Sequence, residues 1–303
     1  MVEVKQAALL SGHQNPVYAV EASQKPGIIF TAGNDKGVVE WRLRDMSFIK
    51  VIMPVKSSVY TLHCPLAAPI LAVGELSGCI TLFNFTEQKI VAELKHHVLP
   101  IFDLKSVTRK NELLASSEDG TVSVINLLSY QLIYNFKVSN LTVRCIAVNP
   151  DESLVAFGCK DNTVRIYSLE DYSFITELTE HTLPITSLEF SKDGNYLLSG
   201  GRDAKLKIWN VNDYSLTETI VAHMFAIYDI KFHPTKPYFA TSSRDKSIKI
   251  WDANTFKLKK VISREKGIES HSHSVNKICW ENSTELLISV SDDTRVMVWN
   301  VEF

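Results

Sequence analysis

Seven bulky residues stand at a regular interval along the chain: Trp41, Phe83, Ile125, Tyr167, Trp209, Trp251 and Trp299. The first five intervals are 42 residues each and the last is 48. Around these anchors the sequence recurs as GVVEWRL, CITLFNF, TVSVINL, TVRIYSL, KLKIWNV, SIKIWDA and RVMVWNV. Each segment is short, alternating and rich in β-branched and aromatic residues, so each reads as a strand. A unit of this size cannot bury its own apolar face, so its neighbours must cover it and the units must form an array.

Each unit has room for four strands. In the fifth they read as residues 185–190, 196–201, 205–211 and 215–221, separated by the turn sequences S-K-D-G-N, R-D-A and N-D-Y. Helical periodicity is absent. Strands joined by short turns without crossovers pair antiparallel. The expected fold is therefore all-β, one repeated four-stranded antiparallel sheet in seven copies, as a single domain over residues 1–303.

Charge and cysteine usage narrow the function. Lys and Arg number 32 and Asp and Glu 34, a near balance that argues against a dedicated nucleic-acid or membrane-surface binder. The longest nearly apolar run, residues 65–73, is far shorter than the roughly 20 residues of a membrane span. The start, MVEVKQAALLSGHQ, lacks the pattern of a secretion signal. Cys64, Cys79, Cys145, Cys159 and Cys279 sit in apolar runs with no C-x-x-C pair, which predicts buried free thiols and a cytoplasmic, reducing location. Phosphate-cradling glycine motifs are missing, and His96 and His273 have no Cys or carboxylate at zinc-site spacing, so no cofactor and no metal is expected.

The G-H at 12–13, the equivalent A-H at 222–223, the W-D at 251–252 and the W-N pairs at 209–210 and 299–300 resemble the signature of WD40-repeat proteins. The resemblance extends over the whole chain and is to stand-alone, seven-repeat members such as those of bacteria. It implies a seven-bladed β-propeller that the N-terminal segment closes by completing the last blade. Residues 2–10, just before His13, supply a candidate fourth strand, which the chain after Trp299 lacks.

A Ser-His-Asp set in the fifth unit, His181, Ser199 and Asp203, has the residue types of a hydrolase triad. With Trp209 it also has the members of a buried hydrogen-bond relay. The set recurs as His13, Thr31, Asp35 and Trp41; as His223, Thr241, Asp245 and Trp251; and as His271, Ser289, Asp293 and Trp299. One active site does not need four copies, and Thr for Ser suits hydrogen bonding better than nucleophilic attack, so these residues are read as scaffold. Units 2, 3 and 4 lack the full set, with Val55, Val73, Ser77 and Phe83 in the second, Ala115 and Ile125 in the third, and Ser139, Phe157 and Tyr167 in the fourth. Their relays are expected to be lost and their blades to persist.

Five residues after each relay histidine position lies a second column: Tyr18, Tyr60, Phe102, Arg144, Thr186, Tyr228 and Asn276. Aromatics and arginine are the residues of interface anchors. In the WD40 family this position opens the first strand at the rim of the narrow face, where peptides dock. A further family contact position, just before the turn Asp, reads Asn34, Leu76, Glu118, Lys160, Arg202, Arg244 and Asp292. The expected function is thus a non-enzymatic scaffold, monomeric by itself. Its protein or peptide partner, with acidic or phosphorylated segments, would bind at Tyr18, Tyr60, Phe102, Arg144, Tyr228, Asn276, Lys160, Arg202 and Arg244. The competing reading puts an enzyme or a phosphate-ligand site in the charged cluster at the central mouth. The six extra residues before the seventh unit fall in 263–273, on the same expected face.

Overall fold

In blade 5 the strands are Ile185–Phe190, Tyr196–Gly201, Lys205–Asn210 and Leu216–Val221, each antiparallel to the one before it. The turn sequences end each strand, and on Ile185–Phe190 only Thr186 and Glu189 are half-buried, the strict inside–outside period being broken by an irregularity at Thr186. A computed structural model describes residues 2–66 and 68–303. Among them the strands form seven four-stranded antiparallel sheets, the blades of a seven-bladed β-propeller. Two single 3-10 turns, Thr108–Lys110 and Arg264–Lys266, are the helical elements of the described residues, and no helix there is long and apolar enough to cross a membrane.

Blades 1 to 6 each use four consecutive strands. Blade 7 uses Val275–Trp280, Leu287–Ser291 and Val296–Glu302, and its outer strand is Glu3–Leu10, which pairs antiparallel with Val296–Glu302. The N-terminal strand therefore completes the last sheet, as expected, and covers an edge whose backbone groups would otherwise invite pairing with other chains.

By internal contacts the chain divides into two compact units, Met1–Val59 with Ile227–Phe303, and Tyr60–Ala226. Within each, the core lies between adjacent sheets. In the first unit, Trp41, Val17 and Ile29 of blade 1 pack with Ile288, Val290 and Val298 of blade 7. In the second, Phe157 and Val143 of blade 4 pack with Leu114, Val122 and Val124 of blade 3. These side chains are almost wholly excluded from solvent, and such burial of branched and aromatic groups is the main favourable contribution to the fold.

Two local features repeat with the 42-residue period. The turn between the second and third strands places one residue in the left-handed region in every blade: Lys36, Gly78, Gly120, Asn162, Ala204, Lys246 and Thr294, with φ from 54° to 81°. At Gly120 a Cβ would come within 2.2 Å of the Ser139 carbonyl oxygen, so only glycine fits there. The first strand, for its part, contains a β-bulge. Register skips at Tyr18, Phe102, Arg144, Thr186, Tyr228 and Asn276, the very residues of the second sequence column.

The residue after the bulge can tie a blade to the next. Asp103 Oδ2 accepts the Ile146 N–H at 2.9 Å, and Asp229 Oδ2 accepts the Ile278 N–H at 3.1 Å while Lys277 Nζ lies 3.4 Å from its Oδ1.

Removing residues 1–10 would strip blade 7 of its outer strand, with seven paired positions lost. At about 1 kcal/mol for each net hydrogen bond, roughly 5 kcal/mol of stability should go. Thermal unfolding of the truncated chain should then come roughly 8 °C below the full-length protein; an unchanged melting temperature would refute the role assigned to this strand.

Candidate functional site

In blades 1, 3, 4, 5 and 7 the entry loop and the turn between the second and third strands are joined at one end of the sheet by side-chain hydrogen bonds. In blade 5, Trp209 Nε1–H donates to Ser199 Oγ at 2.8 Å, Ser199 Oγ lies 2.8 Å from His181 Nε2, and His181 Nδ1 lies 2.9 Å from Asp203 Oδ2. Every member is satisfied if the imidazole is neutral with its proton on Nδ1, donating to the carboxylate and accepting the serine hydroxyl. Blade 1 repeats this with Trp41 to Thr31 at 2.7 Å, Thr31 to His13 at 2.7 Å and His13 to Asp35 at 2.6 Å. Blade 7 repeats it with Trp299, Ser289, His271 and Asp293 at 2.9, 2.8 and 3.0 Å. In blade 6, Trp251 Nε1–H donates to Thr241 Oγ1 at 2.9 Å, and Asp245 Oδ1 accepts from the N–H and hydroxyl of Ser247. The hydroxyls of Thr31, Ser199, Thr241 and Ser289 belong to fully buried residues. A substrate carbonyl has no access to them, so the triad-like sets bind loops to turns.

The expected loss of the relays needs correction in blades 3 and 4. In blade 3, His97 Nδ1 pairs with Asp119 at 2.8 Å and its Nε2 finds Ser123 Oγ at 2.8 Å. Ser123 is the cross-strand partner of Ala115, so the missing hydroxyl has moved one strand over. In blade 4 the same third-strand position holds Arg165, the partner of Phe157. Its guanidinium contacts Asp161 at 2.8 Å and Glu177 at 2.9 Å, and Ser139 Oγ–H donates to Asp161 at 2.7 Å. In blade 2 that position is Thr81, which donates to buried Glu75 at 3.2 Å. The residue types are visible in the sequence, whereas the register that makes Ser123 a neighbour of Ala115 is set by strand pairing.

All five cysteines are buried free thiols. Burial, with the nearby Asp161 charge, pushes the Cys159 thiol up to about 12, so it is an unreactive core group. Among the described residues no group of three or more His, Cys, Asp or Glu side chains is arranged to hold a metal ion.

The end of each sheet that the relays organise also carries the second column, six of whose residues sit at a bulge and all seven of which are half-buried. A bulge turns its extra side chain out of the strand's regular alternation. In the unit Tyr60–Ala226 three of them form a row. The rings of Tyr60 and Phe102 stack with centroids 5.5 Å apart and planes within 3°, and the Arg144 guanidinium lies 4.5 Å above the Phe102 ring. Thr186 follows in blade 5, where its hydroxyl donates to Gly200 O. Lys160 and Arg202 are exposed in the same unit, and Glu118 is half-exposed.

In the unit Met1–Val59 with Ile227–Phe303, Tyr18 and Tyr228 hold the equivalent half-buried positions and Arg244 is exposed. The Asn276 amide donates to Val17 O at 2.9 Å and to Asp292 Oδ1 at 2.8 Å, tying blade 7 to blade 1. The 263–273 segment forms a compact turn closed by the Arg264 Nε–H donating to Ser270 O at 2.7 Å, with Gly267 in the left-handed region.

Antiparallel four-stranded blades in seven copies, several of them with a Trp–Ser/Thr–His–Asp relay, define the WD40-repeat β-propellers. The chain belongs to this class and, within it, to the family of the nucleolar protein 10-like N-terminal domain, whose model matches residues 102–302, well over half of the chain. The model of the WD domain, G-beta repeat, matches residues 4–42. Among curated proteins, the COMPASS component SWD3 of Saccharomyces cerevisiae is 28% identical over 139 residues. That alignment covers 43% of this chain and 44% of SWD3, so the chain spans under half the length of that relative.

If the relays are scaffold, Asp203→Ala should lower stability by about 1–3 kcal/mol, because it strands a buried imidazole N–H and frees the turn. Ser199→Ala should cost less than Asp203→Ala. Chemical denaturation of both variants checks the order.

The relays also predict the response to acid. Burial lowers the His13 pKa by more than the Asp35 hydrogen bond and charge raise it. The neutral ring is favoured in the fold, so stability is complete above about pH 6.5 and falls as pH drops below it. Burial alone would raise the Asp293 pKa. The hydrogen bond and charge of His271, with the Ser272 and Arg295 backbone N–H groups, outweigh it and hold the carboxyl at about 2. Its contribution is complete above about pH 4 and is lost as pH falls from there. Denaturant melts from neutral to strongly acid pH should show both losses, and Asp293→Asn should diminish the lower one alone.

Proposed function

We propose that this chain is a non-enzymatic docking platform for a protein partner, which it binds on the face shared by the entry loops and the bulge residues. The observation that carries this reading is the stacked row Tyr60–Phe102–Arg144, half-exposed on three successive blades. Stacked rings and a guanidinium spread over one of them are pre-ordered, so a partner covering them gains apolar contact with little loss of side-chain entropy. The repeat delivers one such residue per blade, a spacing suited to a long, shallow contact rather than an enclosed reaction pocket. Two further observations support the reading. The triad-like hydroxyls are buried and already hydrogen-bonded, and SWD3, a relative in part of its length, is by name a component of a larger assembly.

The test is the double variant Tyr60→Ala/Phe102→Ala, compared with Ile133→Ala on an outer strand, where Ile133 is exposed. Truncating interface anchors costs about 1–3 kcal/mol each. The native partner that co-purifies with the wild-type chain should thus fall by tenfold or more with the double variant and stay level with Ile133→Ala, at unchanged melting temperature. Undiminished partner recovery with the double variant would defeat the proposal.

A further inference from the structure

The entry loops carry another column, two residues after each relay histidine position: Asn15, Ser57, Leu99, Leu141, Leu183, Phe225 and His273. It is polar in three places and apolar in four consecutive ones, and those four all belong to the unit Tyr60–Ala226. The apolar side chains are in the open, at 43% for Leu99, 48% for Leu141, 48% for Leu183 and 52% for Phe225. Single exposed apolar residues are ordinary, whereas a run of them at one structural position is not.

Each leucine has a charged neighbour fixed beside it. The Glu118 N–H donates to Pro100 O, next in the chain to Leu99, at 2.9 Å. The Lys160 N–H donates to Thr142 O, next to Leu141, at 2.9 Å, and the Arg202 N–H donates to Pro184 O, next to Leu183, at 2.8 Å. Blades 4 and 5 thus each pair an exposed leucine with an exposed cation. The carboxylates next in the chain are committed to holding the loops: Asp161 takes bonds from Ser139, Thr163 and Arg165, and Asp203 takes them from His181 and the Thr182 N–H. Lys160 and Arg202 make no ion pair among the described residues. Apolar surface and unspent positive charge therefore alternate along the entry loops of one unit.

We infer that this loop face receives an acidic, apolar peptide segment of the partner. Its apolar side chains lie on Leu99, Leu141, Leu183 and Phe225, and its carboxylates face Lys160 and Arg202. Glu118 disfavours a carboxylate over blade 3, so the acidic residues belong over blades 4 and 5. This rests on the docking reading above and narrows it to one partner chemistry. Charge pairs at such a rim govern orientation and encounter rate, while the apolar contacts supply most of the affinity.

The experiment is selection of a random dodecamer peptide library against the full chain, followed by affinity measurement of the strongest peptide. The wild type should enrich sequences combining Asp or Glu with Leu, Ile, Met or Phe. Affinity for the selected peptide should fall at least tenfold in L141Q/L183Q and at least tenfold in K160E/R202E, and the second loss should shrink at high salt. K160E/R202E should instead enrich basic peptides. All four side chains are exposed, and unchanged melting temperatures verify that both variants are folded. Enrichment without acidic bias, or affinity within twofold of wild type in both variants, overturns the inference. If Tyr60→Ala/Phe102→Ala still abolishes binding in that case, the docking face stands and only its partner chemistry is wrong. If that variant binds the selected peptide as wild type does, the docking face falls as well.

Discussion

Each relay begins with an indole N–H that has no water to bond to. Trp41, Trp209, Trp251 and Trp299 are buried, and a buried donor without an acceptor costs more than a made hydrogen bond contributes. The hydroxyl that accepts from the indole must find an acceptor of its own, and the imidazole that provides it must in turn find a carboxylate. Satisfying that chain of demands brings the entry loop and the turn together. The arrangement of loops at that end of the sheet is thereby a consequence of interior hydrogen bonding. Blades 2 to 4 make the same point from the other side. With no tryptophan to serve, their polar groups have rearranged around Thr81, Ser123 and Arg165, all at one position of the third strand.

Rigidity at one end of the sheets is what allows irregularity there to be useful. A β-bulge breaks ladder pairing and would loosen a strand that nothing else restrained. Here it lies next to loops that blades 3 and 4 pin through His97–Asp119 and Ser139–Asp161, so Phe102 and Arg144 are directed outward from a fixed frame. Asp103, one residue further along, turns inward and bonds the next blade. Neighbouring residues of one strand thus serve surface and core, and the bulge separates the two roles. Asn276 occupies a bulge too and spends its amide on joining blades. Equivalent positions in a repeat share geometry, and the side chain decides the use.

Much of this was legible in the sequence, and the limits have physical causes. The 42-residue period located all seven blades, and the fifth unit's strands fall within a residue of their observed ends. The relays of blades 1, 5 and 7 were recognisable because a tryptophan, a hydroxyl, a histidine and a carboxylate at fixed spacing have one way to satisfy one another. The blade 3 relay was not, since Ser123 replaces Ala115 from across a strand pair, and no linear spacing shared with the other units points to it. The apolar run Leu99, Leu141, Leu183 and Phe225 sits in register with the aromatic column, yet an apolar residue in a register reads first as core.

By itself, the sequence determined the repeat, the strand-and-turn alternation, the antiparallel sheets and the residue types available at each recurrent position. These follow from local preferences and spacing, which every copy of the unit states again. Tertiary structure alone decided which of those residues are exposed, which are joined, and which substitute for one another. Exposure depends on what packs against a side chain, and that is set by the neighbouring blade and by the bulge in the strand. The spacing of Phe102 and Leu141 could be counted along the chain; that one stacks beneath a guanidinium and the other stands open beside Lys160 is a matter of packing.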